Sequence, residues 1–371
     1  MTGESVYCGI SGQNWDMGRL VAAVSVALAA AVGGCGDGDG GGDPAPGELA
    51  LYRAKTAMNP VRDVVTTSGD GGEQRVAIGG SAESDVVPTL FTQPSWSPDG
   101  NRIAFAGQSR GDAEREGTED ETDRSDVYVV GADGEGLRRL TSTHDAGAPV
   151  WSPDGRAIVF SRRRGDAFAG SASLWWAPAG GGTARQITGW RKRTTDRPGS
   201  FWRSGDALAF TRGTCADRYC AERRTAVFTI ALDGSGERRL LDDASDPDVS
   251  PDGRRLAFVS DRDANGSLSY GDQESPATEL YTADAEGGSV RRLTRTRDVN
   301  EWAPDWSPGG HRIALQRGRV TGNAEGMSVL QMNADGSCER PVLADPKLDV
   351  WYSGPEWRPG DRARPSGALE C

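Results

Sequence analysis

The sequence predicts an all-β chain, a six-bladed β-propeller of four-stranded blades, and three observations carry that expectation. A hairpin signal recurs. Ala148–Ser161 (APVWSPDGRAIVFS) is repeated at Pro94–Ala106, Pro247–Val259 and Pro304–Leu315, with worn copies at Ser200–Phe210 and Pro355–Asp361. A second strand–turn–strand signal alternates with it, as in Asp126–Thr141 (DVYVVGADGEGLRRLT), Phe228–Leu241, Glu279–Thr294, Ser328–Leu343 and, more loosely, Leu174–Thr188. The spacing is regular: the Trp of the first signal, or the Val in its place, falls at 96, 151, 202, 249, 306 and 357. Two hairpins per interval make four strands, the content of one propeller blade.

Each element has a local cause. In Ser152-Pro153-Asp154-Gly155, Pro presets φ for a type I turn, Asp tolerates the next position, and Gly closes the turn in the left-handed region. The alternating run Ala157–Phe160 that follows is a half-buried strand. The second signal turns on Asp-Gly or Gly-Gly between two such runs.

Taken from its start, the chain does not open as a propeller. Residues 1–34 read as a secretory signal: Arg19, then thirteen uncharged residues, Leu20–Val32, then small residues. That core is too short to span a bilayer. Met17 is the expected true start. Val32-Gly33-Gly34-Cys35 resembles a bacterial lipobox, which implies lipidation of Cys35 and an anchor that holds the protein on a membrane without crossing it. Residues 35–48 then form the lipidated Cys and a Gly/Asp/Pro tether. The Asp residues of that tether lack the distal Glu and fixed loop of a Ca²⁺ site.

Residues 49–371 are the expected propeller. Leu49–Ala54 and Val64–Ile78 look like the later strands of a blade, and Pro355–Asp361 like the beginning of one. Pairing the N-terminal strands with the C-terminal half blade completes the sixth blade and removes the open edges. The P-x-W-S-P-D-G-x-x-I-A-F stretch followed by the ADG…RRLT hairpin resembles the TolB-like propeller repeat, over roughly Leu49 to Asp361. The resemblance implies an envelope protein that binds other molecules. TolB itself carries an α/β domain before its propeller, and the short tether leaves no room for one here, so a Tol-system role is not assumed.

Function is expected on the edge that carries the variable connections, because the S-P-D-G and D-G turns share the opposite edge and are uniform. Net charge −12 argues against nucleic acid. Locally the sign reverses: Arg156–Arg224 holds 14 Lys/Arg against 5 Asp/Glu. Arg191, Lys192 and Arg193 sit in a between-blade loop beside Trp190. With Trp302, Trp351, Tyr352, His144, Asp145 and Asp298 they are the candidates for contact with an envelope protein or an anionic polymer. Charge runs are also common as plain solvated loops. With Cys8 in the leader and Cys35 lipidated, four Cys remain, Cys215, Cys220, Cys338 and Cys371; 215 with 220 and 338 with 371 is one plausible pairing among those open, in an oxidising compartment.

Catalysis finds thin support. No G-x-S-x-G occurs, and His311 lies in a hairpin turn. The expectation is a monomeric binding module with no catalytic residue, cofactor or metal, reaching the membrane only through its lipid. The alternative is a metal-dependent carbohydrate- or lactone-active enzyme at the channel mouth, using His144 with Asp145 or Asp298.

Overall fold

Ser-Pro-Asp-Gly forms the expected turn in the computed structural model of the chain. The N–H groups of Gly100, Gly155, Gly253 and Gly310 donate to the Ser carbonyl three residues back, and all four Gly have φ between 67° and 71°. Ser152 Oγ donates to Asp154 Oδ1 (2.6 Å) and accepts from the Ala157 N–H (2.9 Å), tying the turn to the next strand. The structure describes residues 47–55, 62–79, 85–89, 93–109, 124–165, 170–217, 220, 223–263, 267–270, 273–296, 299–319, 325–344, 350–360 and 367–371. Cys35 and Asp298 lie outside the described residues.

Among the described residues every element is a strand. First come β1 (Glu48–Lys55), β2 (Arg62–Ser68) and β3 (Gln74–Gly79). Next are β4 (Val86–Pro88), β5 (Ser95–Trp96), β6 (Arg102–Ser109), β7 (Asp126–Gly131) and β8 (Arg138–Arg139). Two similar groups follow: β9 (Ala146–Trp151), β10 (Ala157–Arg164), β11 (Ser171–Pro178) and β12 (Arg185–Gln186), then β13 (Thr194–Phe201), β14 (Leu208–Cys215), β15 (Arg223–Ile230) and β16 (Arg238–Asp242). Then come β17 (Ser245–Val249), β18 (Arg255–Ser260), the hairpin β19 (Ser267–Tyr270) and β20 (Gln273–Pro276), β21 (Glu279–Asp284) and β22 (Arg291–Arg292). The last are β23 (Asn300–Trp306), β24 (Arg312–Arg319), β25 (Glu325–Asn333), β26 (Arg340–Leu343) and β27 (Val350–Trp357).

Pairing is antiparallel along each group: β4 and β5 on β6, then β7 and β8; β9-β10-β11-β12; β13-β14-β15-β16; β17-β18-β21-β22; and β23-β24-β25-β26. A single parallel bridge, Ala172↔Thr195, joins the β9–β12 and β13–β16 groups into one sheet. The remaining sheet has the order β27-β1-β2-β3, with Leu49 opposite Trp357. Strands from the two ends of the repeat region therefore share one sheet.

The core lies between successive sheets. Phe105, Phe160, Phe210 and Phe258 occupy one repeat position and are wholly buried, with Leu315 as the fifth member. Each packs on a neighbouring sheet: Ile158 and Phe160 lie against Val127 and Val129, and Ile313 and Leu315 against Ala257 and Leu280. Trp96, Trp151, Trp306 and Trp357 are each at most 5% exposed, as packing residues should be. Arg102, Arg255 and Arg358 lie over the Trp of the following sheet, 4.5–5.1 Å from the ring centre of Trp151, Trp306 and Trp96.

Disulfides join Cys215 to Cys220 and Cys338 to Cys371, with Cα separations of 4.8 and 5.0 Å. The second bond is reinforced by Asn333, whose Nδ2 donates to the Leu369 carbonyl (3.0 Å) and whose Oδ1 accepts from the Leu369 N–H (2.5 Å). Together they hold the C-terminal segment against the β23–β26 sheet.

Candidate functional site

Five copies of Pro-x-Trp or Pro-x-Val put Pro94, Pro149, Pro247, Pro304 and Pro355 on or beside the innermost strands. In the sixth, β13, Gly199 takes the Pro position and Phe201 the Trp position, because Trp202, expected there, instead begins the turn and its carbonyl accepts the Gly205 N–H. Proline offers no N–H to a ladder, so the strands bulge where it falls. The residue before the Pro takes a left-handed conformation in four of them: Ala148 (φ 50°), Asp246 (φ 48°), Ala303 (φ 47°) and Gly354 (φ 59°). Register slips accompany this in β9, β13, β17, β23 and in the β27–β1 pairing.

The bulge turns the residue after the Pro toward the next sheet, where it accepts a backbone N–H. Asp248 Oδ2 accepts from Trp306 N (2.6 Å), Asp305 Oδ2 from Trp357 N (2.6 Å) and Glu356 Oε2 from Trp96 N (2.8 Å). Ser95 Oγ accepts from Trp151 N (3.2 Å), and on β13 Ser200 Oγ, which follows Gly199 in place of a Pro, accepts from Val249 N (2.6 Å). Val150 has no acceptor to offer, and the series is interrupted there. Gly199 is needed on β13 because a Cβ would stand 2.3 Å from the Pro247 carbonyl oxygen. Gly199→Ala is expected to cost about 1–3 kcal/mol by overpacking, read in denaturant unfolding; an unchanged midpoint would show that the strands can part.

These inner strands enclose a cavity of about 120 Å³ lined by Ser95, Val150, Ser200, Asp248, Asp305 and Glu356 among others. That is far below the roughly 300–1,000 Å³ of a small-molecule pocket and suits a few waters. Asp305 and Glu356 are half-buried and keep some surface toward the cavity, yet the protein crowded around them makes desolvation the largest influence on their carboxyls. Burial pushes Asp248 up to about 6. Burial, then the charges of Asp248 and Glu356, holds Asp305 well above the usual carboxylate range, and burial with the charge of Asp248 does the same to Glu356.

Further out, an acid near the start of an inner strand meets an Arg near the end of the next strand. Arg162 Nε donates to Asp145 Oδ1 (2.8 Å), Arg212 Nε to Asp196 Oδ1 (2.7 Å) and Arg317 Nη2 to Glu301 Oε1 (2.7 Å). This repeat corrects the pairing of His144 with Asp145 as a chemical site. Asp145 is committed to Arg162, while the His144 ring lies 3.5 Å from Asp126 Oδ2 and contacts Arg139. Its backbone N–H also donates to Asp126 (3.2 Å). His144 therefore belongs to the cap over Asp126, which also takes Thr141 Oγ1 (2.6 Å) and the Thr143 N–H (3.0 Å). Among the described residues no three His, Cys, Asp or Glu side chains are grouped to hold a metal ion.

The RRLT motif has the same structural cause. The second Arg pairs with the acid that begins the third strand, Arg139 with Asp126 and Arg292 with Glu279. The Thr hydroxyl accepts the next N–H of that strand, Thr141 from Val127 (3.0 Å) and Thr294 from Leu280 (2.9 Å). A sequence search for an acid two residues before the aromatic, in D-V-Y and E-L-Y, would have found these pairs.

The loop-bearing edge beside β10, β13 and β15 is cationic. Trp190 is half-buried under Arg164, 4.1 Å from its ring centre, and Arg191 pairs with Glu237 (3.3 Å). Lys192 is exposed; Arg193 sits at φ 54°, its carbonyl accepting the Cys215 N–H (3.0 Å). Asp196 and Glu237 are both spent on Arg212. Arg163, Lys192, Arg193 and Arg224 are left without an ion-pair partner among the described residues. Trp302 lies elsewhere, half-buried on β23 beside Gly318. Tyr352, expected in or beside a loop, is instead 8% exposed on β27 in a core cluster with Leu49, Leu51 and Trp357. The backbone of Trp351 is on the same strand, and its side chain lies outside the described residues.

No family model matches the chain. It is similar to an uncharacterized protein of Agrobacterium fabrum, 26% identical over 243 residues that cover 62% of this chain and 66% of that protein. The chain thus spans slightly less than two thirds of that curated relative. Among solved structures it is similar to TolB from Acinetobacter baumannii, with TM-score 0.60 and 19% identity over 85% of this chain and 67% of that one. It is also similar to a protein assigned as TolB from Agrobacterium tumefaciens, with TM-score 0.54 and 18% identity over 85% and 99% of the two chains. The repeated hairpins, the bulged Pro-x-Trp strands and these likenesses agree: the chain has the TolB-like β-propeller fold.

Proposed function

We propose that the chain is a closed propeller of six four-stranded blades, carried at the envelope surface by a lipid on Cys35, that binds an acidic envelope protein or anionic polymer. The observation that carries the reading is the charge distribution on the loop-bearing edge. Asp145, Asp196 and Glu237 are consumed by Arg162, Arg191 and Arg212, while Arg163, Lys192, Arg193 and Arg224 have no ion-pair partner among the described residues. In a chain of net charge −12 this is a local inversion of sign. Such a patch steers an acidic partner and repels basic ones. The inter-sheet bonds from Glu356 to Trp96 and the β27–β1 pairing support closure, which would make the edge a rigid platform. The axial cavity is too small for a sugar substrate, so the reading favours a surface over an enclosed active site.

The test is affinity capture from envelope extract with a soluble bait beginning at Gly36, beside a variant carrying Lys192→Glu, Arg193→Glu and Arg224→Glu. A partner retained by the parent and lost by the variant is the expected result. Equal retention by both baits at low salt would remove the basic edge from the reading.

A further inference from the structure

Arg223 is placed differently from its cationic neighbours. It starts β15 and lies flat across β14 at Gly213, where a Cβ would stand 2.6 Å from its Nε and 2.7 Å from its Nη2. Only the missing side chain of Gly213 lets the guanidinium cross. On the far side Nη2 donates to Thr195 Oγ1 of β13 (2.7 Å). Two residues along, on the same face of β13, stands Arg197. Its Nη2 donates to Gln93 Oε1 (2.8 Å), and its Nη1 is 3.8 Å from Asp246 Oδ1. Arg163 is on β10, beyond β11, in register with Thr195 through Ala172, and its side chain has no ion-pair partner among the described residues. Three guanidinium groups thus share one corner of the loop edge, and Asp246 is the acid beside them.

The corner is under electrostatic tension. Arg223 keeps an exposed surface, yet crowding by protein, then the charges of Arg197 and Arg163, holds its guanidinium below the ordinary range against the opposing pull of Asp246. A bound anion would offset the repulsion among the three guanidinium groups. Because the cations are spread over β10, β13 and β15, they match carboxylates spaced along a chain better than one compact ion.

We infer that Arg223, laid in the Gly213 slot, forms with Arg197 and Arg163 a clasp for an acidic peptide segment of the partner. The inference rests on the proposed binding edge and names its anchor and its ligand class. Arg223 offers its outward N–H groups to one carboxylate, Arg163 takes the next, and Arg197 fixes the inner limit of the groove. Gly213 acts without touching the ligand, by aiming Arg223.

Fluorescence anisotropy of a labelled hexaglutamate peptide, added to the full chain in detergent, tests this at fixed salt. Arg223→Gln is expected to weaken binding about tenfold, the loss of one charge-assisted contact. Gly213→Ala should weaken it similarly while leaving the net charge unchanged, since the new Cβ displaces Arg223. Arg223 is exposed, so Arg223→Gln will fold even if Gly213→Ala does not. Wild-type affinity in Arg223→Gln overturns the clasp. If Lys192→Glu with Arg193→Glu abolishes binding while Arg223→Gln does not, the binding edge stands and the clasp alone fails. No binding of hexaglutamate by the parent, with binding of poly(glycerol phosphate), overturns the peptide assignment. Binding of neither sinks the proposed edge together with the clasp.

Discussion

Replacing Arg317 by Met is expected to cost roughly 3 kcal/mol of stability at pH 7, the scale for stranding one member of a buried ion pair. Glu301 is wholly buried, and Arg317 is 16% exposed. One carboxylate oxygen accepts Arg317 Nε (3.0 Å) and Nη2 (2.7 Å); the other accepts the Leu280 N–H (2.8 Å) and Thr294 Oγ1 (2.5 Å). Burial already holds Glu301 above the usual carboxylate range, with Arg317 as the main opposing influence. Without Arg317 burial is unopposed, and folding at neutral pH must either bury a lone charge or take up a proton. The loss should therefore shrink as pH falls toward 4, because protonation removes the charge that burial penalises. Urea unfolding at the two pH values measures this. A loss below about 1 kcal/mol at pH 7 would mean that water reaches Glu301. Arg162→Met should cost less, because Asp145 is 21% exposed and can recover hydration.

The second large effect concerns pH and the axial acids. Asp248 rises to about 6 in the folded protein, from an ordinary value near 4. A carboxyl whose folded pKa is raised favours folding when protonated. Its contribution is fully present below the unfolded pKa and is lost as pH climbs from about 4 to about 6, by roughly 3 kcal/mol for two units. Asp305 and Glu356 act in the same direction. Asp248→Asn keeps an oxygen for the Trp306 N–H and carries no charge. It should match the wild type near pH 4 and exceed it in stability above pH 6. Asp248→Ala leaves that N–H unpaired and should not show the gain. Parallel curves for wild type and Asp248→Asn across pH 4–7 would show that folding does not raise the Asp248 pKa.

Much of the fold was legible because its signals are local. Ser152-Pro153-Asp154-Gly155 turns by backbone preferences that act within four residues, and the wholly buried Phe160 and Phe210 follow from alternation along single strands. The phase of the ends was legible too: Leu49–Ala54 lacks the strand that Pro355–Trp357 supplies, and the two pair. The candidate site was read less well. Tyr352 falls in the stretch Ala344–Ser353 that the repeat leaves as a connection between blades, whereas β27 begins at Val350 and buries it. Asp145 stood next to His144 in sequence and invited a chemical reading, but its partner, Arg162, comes from the next strand.

By itself the sequence determined the repeat, the strands, the tight turns and the edge that carries the variable loops. These depend on residue types a few positions apart. Tertiary structure alone decided which charges are spent and which are free. Coulomb energy and desolvation depend on distance and burial across strands, and neither scales with separation along the chain. Arg212 and Arg223 look alike in sequence; one is locked between Asp196 and Glu237, the other laid bare across Gly213. The three acids at the axis are far apart in the chain and share one small cavity only because the inner strands converge there.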